Sequence, residues 1–543
     1  QYVPEPERST MSLAELWDAD PQQPHWFISH FWKEPVWEFV LCLSEHARVR
    51  RLDPECRYWV CAYTNDQHRL GLEIGENPLD SPFFKALKSC VGALLLLGEN
   101  GEAAERIWCG FEACVAFRTS TPYDFVSIAE KKAHIVTFEP AEDDMAEGTT
   151  ILGDREVLGR WIARLESFPE SALLRLAEMD LQFGTATEDG DKQAICAIID
   201  EKLGGMPRAT RRLNSVAAQS LAMLGFHGAK VCQALERDPE LELLQTTWGA
   251  AHELAKSGCF DNPSLDRVRI VKGKGSVPAD LGMVLEKVAS VRMLRRLYMD
   301  MGINTTIAQL EQFCNGLSKN RVMTVLELDL TGISVPHLEI GGYGVGGTTW
   351  ARPRKLRATA DAANIGWSGS QALGAMLQNW SALHKLKLVL RRNNITGDLH
   401  DLGRSLRSCT QLQTLELDFY RNRITGDLSS LGQGLGSCAQ LQTLKLDFHY
   451  NYMGDLTVNK LTGDLSALGQ GLGSCAQSAL GQGLGSCAQL QTLLQTLKLD
   501  FFCTMVTASE VRRAWTGLLP RSCFNGWLAF DKDIKISDLH QPV

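Results

Sequence analysis

Two groups of side chains in this sequence are placed to do chemistry. The first centres on one carboxylate. Glu112 lies in the stretch Arg106–Phe117, RIWCGFEACVAF, four residues after Trp108 and directly before an apolar Ala-Cys-Val-Ala-Phe run. A carboxylate in such company either heads a helix, where the N-terminal dipole end stabilises it by about 0.3–1 kcal/mol, or is kept in a desolvated place, where its proton affinity rises. Cys109 and Cys114 flank it, but neither has the His/Asn partner pattern of a nucleophile. The second group is a series. Asp329, Asp418, Asp447 and Asp500 each follow a leucine by three residues, with Val389 interrupting. Lys387, Glu416, Lys445 and Lys498 stand two residues before the same position. On parallel strands in register such residues lie about 4.8 Å apart on one exposed face. That face reads as a recognition surface for a partner with basic groups, or as a solvated ladder kept for solubility.

Other chemistries find no support. The net charge of −9 argues against nonspecific nucleic-acid binding, which needs a basic face. Neither a CxxC pattern nor a His/Cys ligand cluster occurs, so metal binding is not expected. VKGKGS at Val271–Ser276 lacks the Gly that a phosphate loop needs four residues before its Gly-Lys-Ser/Thr, and reads as a flexible basic loop. Asp66 and His68 read as loop residues. The longest apolar run, Val91–Leu97, is far short of the roughly 18 residues of a membrane helix, so no membrane span is expected. The 16 cysteines lie in apolar runs (Cys61, Cys90, Cys114, Cys196) or at repeated positions (Cys409, Cys438, Cys475, Cys487). That usage fits buried free thiols in a reducing compartment, hence the cytoplasm.

The elements that must position these groups are α/β throughout. Residues 1–24 read as a loose lead-in. Residues 25–140 alternate strands and helices: His25–Ser29 strand, Glu34–Arg48 helix, Arg57–Tyr63 strand, a helix capped by Ser81 with Pro82 at its first position, Val91–Leu97 strand, Arg106–Phe117 helix, His134–Phe138 strand. This predicts a flavodoxin-like, doubly wound parallel sheet with ligands at the carboxyl ends of its strands. Residues 141–320 read as mainly helical, with helices at Asp154–Leu165, Asp191–Leu203, Arg211–Leu224, Leu241–Lys256 and Leu285–Met301.

From Arg321 to about Phe502 the chain repeats, followed by a C-terminal cap over 503–543. LHKLKLVLRRNNITGDL, LQTLELDFYRNRITGDL and LQTLKLDFHYNYMGDL share one pattern, with key leucines at Leu326, Leu356, Leu386, Leu415 and Leu444. The spacing is 29 or 30 residues, and the Asn comes somewhat later than in LxxLxLxxN. This is the leucine-rich-repeat signature and predicts an α/β solenoid. Each unit is a strand, an Asn-containing turn and a helix, and units must stack because one alone cannot bury its apolar face. The Leu356 unit matches least, and Gly341–Gly347 beside it reads as an inserted loop. Phe419, Phe448 and Phe501 read as core, and Asn422 and Asn451 as bonded to turn backbone. The next key leucine, Leu497, comes 53 residues after Leu444. The excess is tandem copying: Ser466–Gln477 recurs as Ser478–Gln489, Leu490–Leu493 as Leu494–Leu497, and Asn451–Val458 is followed by a similar stretch.

The first domain resembles a Toll/interleukin receptor (TIR) domain. WFISHFWKEPVWEFVLCLSEHA (Trp26–Ala47) is similar to that family's first strand and helix. FFKALKSCVGALLLLGENGEAAERIWCGFEA (Phe83–Ala113) is similar to its helix, buried strand and S-x-W-C-L-x-E-L motif, here with Arg106 for the Ser and Ala113 for the last Leu. The resemblance covers about 115 residues, a fifth of the chain. It implies an effector domain in a signalling or defence-type protein. In NAD-cleaving members the motif Glu is catalytic, which implies Glu112 as the catalytic carboxylate, with NAD as substrate and no cofactor. Ser29, His30, Phe31, Trp32 and Trp108 then line the substrate site. Other members only assemble with one another, which implies a homo-oligomer acting as a scaffold. The repeats imply a protein ligand on their concave face, at Asp329, Asp418, Asp447, Asp500, Glu416, Lys387 and Lys445.

Overall fold

Buried apolar runs alternating with helices build the first part of the chain. The computed structural model describes residues 12–18, 20, 22–65, 78–119, 121–137, 155–186, 189–273, 281–301, 305–332, 369–393, 395–397, 399–424, 428–448, 451, 496–500, 525–529 and 533–535. They divide into two compact units, 1–265 with 273–276, and 266–272 with 277–543. The segment 141–320, expected as one helical region, is therefore shared between them.

In the first unit β1 (Trp26–Ser29), β2 (Tyr58–Val60), β3 (Gly92–Leu96), β4 (Tyr123–Ala129) and β5 (Lys132–Val136) form a sheet in the order β2-β1-β3-β4-β5. β1 to β4 are parallel. All five residues of β3 are buried, as in a strand covered on both faces. β5 departs from the all-parallel expectation. It returns antiparallel to β4 through Glu130 and Lys131, both at positive φ, the geometry of a tight hairpin. The lead-in is not wholly loose either: Ser12 and Glu15 form a capping box that starts a helix over Leu13–Trp17.

The helix Val36–Val49 lays Phe39, Cys42 and Val49 on the sheet, in one core with Ile28, Val60, Leu94, Leu96, Val126, Ile128 and Ile135. A buried polar network pins it there. Arg50 donates to both oxygens of Asp124 at 2.7 and 2.8 Å, His46 Nε2 lies 3.3 Å from the same carboxylate, and His46 Nδ1 meets the Tyr58 hydroxyl at 2.8 Å. Burial pushes the Asp124 carboxyl up, but these hydrogen bonds and charges outweigh it and hold the group below the usual range.

Helices follow at Arg155–Ser167, Glu170–Ala177, Asp189–Lys202, Met206–Met223 and Ala229–Glu236. Two helices expected from periodicity contain strands instead. Leu241–Lys256 is β6 (Leu243–Thr247) and a shorter helix, Trp248–Lys256. Leu285–Met301 is a helix over Gly282–Ser290 and then β8 (Arg296–Asp300). Short apolar runs satisfy both periods, so pattern alone does not separate them.

The second unit carries a long sheet. Besides β8 it contains β7 (Arg267–Val271), β9 (Val325–Asp329), β10 (Lys385–Val389), β12 (Thr414–Asp418), β14 (Thr443–Asp447), β15 (Thr496–Asp500) and β16 (Asn525–Ala529), each parallel to the next. β17 (Asp533–Lys535) closes it antiparallel, and β11 (Thr396–Gly397) pairs separately with β13 (Arg423–Ile424). Val268, Leu297, Leu326, Leu386, Leu415, Leu444 and Leu497 align across it in register. The series thus begins two strands before Arg321. β9 pairs directly with β10; Leu356 and Gly341–Gly347, read as a weak repeat unit and an inserted loop, lie outside the described residues. β14 and β15 pair in register across the 53-residue interval, whose tandem copies up to position 495 also lie outside them, as do 501–524.

Between the strands the chain makes tight turns and glycine-lined helix contacts. A Cβ on Gly403 would sit 2.3 Å from the Ser430 backbone of the adjacent helix Ser429–Gly436. Asn422 is buried and uses both ends of its amide: Nδ2 donates to Leu390 O and Phe419 O at 2.7 and 2.8 Å, and Oδ1 accepts from the N–H of Asn393 and Ile395 at 2.9 and 3.2 Å. Asn451 bonds Phe419 O and Phe448 O likewise, and the Phe419 and Phe448 rings stack in the core. The residue directly before the Asn adopts a left-handed conformation, at Arg392 (φ 56) and Arg421 (φ 54). Six residues after Leu326 the same place holds Gly332 (φ 76). A side chain there costs about 1–2 kcal/mol relative to glycine. No helix among the described residues is long and apolar enough to cross a membrane.

Candidate functional site

Glu112 does not head its helix. The helix spans Ile107–Arg118, so the carboxylate is the sixth residue and the first turn holds no acid. The dipole account therefore does not apply. The side chain is also deeply buried, at 6% exposure. Two contacts explain this. Gly110 meets Leu181 so closely that a Cβ would lie 2.2 Å from Leu181 Cδ2, and Cys114 Sγ lies 3.8 Å from Ala209 O. The helices after residue 155 thus cover the outer side of this helix.

On the sheet side Glu112 joins Ser29, the last residue of β1, and Tyr123, the first of β4. Burial pushes the Glu112 carboxyl up to about 8. The Ser29 hydroxyl is close enough to oppose that shift, yet among the described residues neither it nor the Tyr123 hydroxyl makes a well-formed hydrogen bond. Ser29 and Glu112, far apart in sequence, are thus brought together at a strand end.

The loop leaving β1 places His30 and Trp32 beside Cys61. Trp32 Nε1 donates to Cys61 Sγ at 3.0 Å, and His30 Nε2 lies 3.8 Å from the same sulfur. The Arg106 guanidinium sits over the Phe31 ring, 5.7 Å from its centroid. Burial lowers His30 to about 4, so its ring is neutral at pH 7. Burial likewise pushes Cys61 up to about 12 and Cys109 further, so both remain thiols and neither acts as a nucleophile. Trp108 is directed elsewhere: its ring stacks on Phe83 at 5.2 Å and its N–H donates to Asp191 at 3.2 Å. Asp66 and His68 lie outside the described residues, as does most of the Tyr63–Asp80 stretch.

One member of this neighbourhood escapes sequence reasoning. Glu34 follows the loop, and its side chain is only 6% exposed. Among the described residues neither of its oxygens has a hydrogen-bond partner. Burial, with Glu38 and Glu102 nearby, pushes it up to about 8. His30 Nδ1 stands 3.9 Å away, but with both groups neutral at pH 7 the contact is no ion pair. The available signal was a lone acid in an aromatic strand-to-helix loop, SHFWKEP. Among the described residues no group of three or more His, Cys, Asp or Glu is arranged to hold a metal ion.

The aspartate series on the long sheet is largely engaged within the protein. Asp329, expected on an exposed face, is 5% exposed and accepts from the N–H and hydroxyl of Thr331 at 3.1 and 2.6 Å. Asp418 accepts from Tyr420 N at 3.1 Å and pairs with Arg391. These carboxylates close the turns that leave the strands. Asp300, aligned with Asp329, belongs to the same row and was missed because β8 was read as helix. Asp447 and Asp500 align with Asp418 in register. Arg391 stands in the combined field of Asp418, Asp447 and Asp329, which offsets the repulsion expected along the row. Two residues earlier, Lys387 and Lys445 flank Glu416 at 3.4 and 3.1 Å, and Lys385 reaches Glu327 at 2.8 Å. Burial pushes Glu416 up, but the two lysines outweigh it and hold it below the usual range. For Glu327 burial prevails over the lysines and the carboxyl is raised.

Compared with known proteins, the chain matches no protein-family model, and no curated protein matches it significantly.

Proposed function

We propose that this is a signalling or defence-type protein of the cytoplasm, with a TIR-like effector domain of flavodoxin-like topology at one end and a leucine-rich-repeat solenoid that binds a protein ligand at the other. The observation that carries the reading is the meeting of Ser29 and Glu112 at the end of β1, where a doubly wound sheet holds its ligands. In the catalytic version Glu112 stabilises the cationic ribose left when nicotinamide departs from NAD. Ser29 and the His30–Trp32 loop then orient the substrate. The carboxylate must be ionised and reached for this. With its proton affinity raised to about 8 it is mostly protonated at neutral pH, so turnover needs a rearrangement that opens the site. Assembly of several effector domains supplies it.

A second reading, a non-enzymatic scaffold that self-associates through the first domain, is favoured by that burial together with the exposed Trp32, Val36, Trp37 and Val40. Nicotinamide release by the full-length protein over a range of protein concentrations separates the two. Release is expected to rise more steeply than protein concentration, and Glu112→Gln to lower it by about 10²–10³. Equal release by both proteins, or none from the concentrated natural chain, leaves the scaffold.

A further inference from the structure

We propose that a cavity between two helices of the second unit binds a small hydroxylated organic anion, whose carboxylate or phosphate group is held jointly by Arg292 and Lys319. The helices are Gly282–Ser290, between β7 and β8, and Ile307–Leu317, between β8 and β9. The site lies wholly within the second unit and does not depend on what the first domain does.

The cavity measures about 640 Å³. That lies within the range of about 300–1,000 Å³ typical of small-molecule sites. Leu285 and Phe313 give it an apolar side, and Gln312 and Asn315 line it with amides. Arg292 and Lys319 line it too, and both are exposed. Among the described residues neither cation has a side-chain partner, and Glu286, the one carboxylate lining the cavity, pairs with neither.

The sheet register shows that these two positions adjoin. Arg296, Val325, Lys385, Thr414 and Thr443 align across the strands. Four residues before them stand Arg292, Arg321, Ser381, Thr410 and Ala439, and six residues before them Ser290, Lys319, Asn379, Ser408 and Ser437. Arg292 is therefore to Lys319 as Arg321 is to Asn379 one unit further on. There the Arg321 guanidinium donates to Asn379 Oδ1. The turns that carry Arg292 and Lys319 are themselves tied, Asn320 Nδ2 donating to Leu294 O at 2.9 Å. Where the next unit has a hydrogen bond, the cavity thus has two like charges, which repel. Later units place only Ser381 against Ser408 and Thr410 against Ser437. One anion between Arg292 and Lys319 turns that repulsion into two charge-assisted contacts, a guanidinium fork and an ammonium meeting the same oxygens. Glu286 and the two amides then accept from hydroxyls on the body of the ligand.

The test is calorimetric titration of the full-length chain with gluconate, glucose 6-phosphate, inorganic phosphate and glucose. Gluconate and glucose 6-phosphate share a polyhydroxylated body and differ in the charged group. One or both are expected to bind, which identifies the group, more tightly than phosphate, and glucose is not expected to bind. Lys319→Asn gives Arg292 the partner that Arg321 has. It is expected to weaken binding by about tenfold or more while raising the melting temperature of the ligand-free protein, a pairing that a purely structural lysine would not produce. Arg292→Thr, which copies the place of Thr410, is expected to weaken binding similarly. Arg321→Thr removes an equal charge outside the cavity and is expected to leave binding unchanged. No binding of either organic anion, binding of phosphate as tight as theirs, undiminished binding by the Lys319→Asn and Arg292→Thr variants, or an equal loss through Arg321→Thr overturns the proposal.

Discussion

Glu112 holds its proton to about pH 8 because burial outweighs the opposing Ser29 hydroxyl. That has a signed consequence for stability. The unfolded carboxyl titrates near 4.5 and the folded one near 8. Between these values the unfolded chain has released a proton that the folded chain retains, so stability falls as pH rises, by at most about 1.4 kcal/mol per pH unit. Glu34 acts in the same direction. His30 opposes both between about pH 4 and 6.5, where the unfolded ring is protonated and the folded ring is not. Above pH 6.5 the carboxyls act unopposed. Glu112→Gln removes one of them, so the variant is expected to gain on the natural chain steadily from pH 5 to pH 8. Melting temperatures of the two proteins across that range check this. A difference independent of pH would mean that the folded carboxyl is solvated or paired.

Among the elements, the turns after β10, β12 and β14 each use one buried amide, of Asn393, Asn422 and Asn451. Asn422 serves two carbonyls and two N–H groups, all in buried surroundings. Alanine there leaves these backbone groups without partners, at about 1–3 kcal/mol for each that water cannot reach. Asn422→Ala is expected to destabilise the array by about 3 kcal/mol or more. Aspartate keeps only the accepting half and should fall between. Urea denaturation of the full-length chain reads the midpoint shift, and a loss under 1 kcal/mol for alanine would show that the turn is held by the strand ladder alone.

For the molecule as a whole, the register between β14 and β15 is the informative feature. Leu444 meets Leu497 as neighbouring strands meet elsewhere in the sheet, although the intervening sequence is far longer than 29 residues. A long connection costs little, about 0.6 kcal/mol for each doubling. Deleting Ser478–Gln489, an identical copy of the preceding stretch, is therefore expected to leave the melting temperature of the second unit within a few degrees of its natural value. A marked fall would make the copied stretch part of the packed structure.

Local patterns carried much of the architecture. The Ser81-Pro82 cap, the GALLL strand and the leucine spacing each record, within a few residues, which side chains must be buried and at what period. Sequence also identified Glu112 as unusual, since a carboxylate interrupts an otherwise apolar run. Its environment was not legible there. Gly110 matters because Leu181 packs against it, and Glu112 is buried because helices far along the chain cover its own. Arg50 and Asp124 are 74 residues apart and meet only because β4 takes its place beside β3. The aspartate row likewise looked exposed by alternation, but turn N–H groups and Arg391 claim Asp329 and Asp418. Period along the chain specifies which face a residue occupies. What stands opposite that face depends on strand order and helix docking, and those are settled by contacts between distant segments.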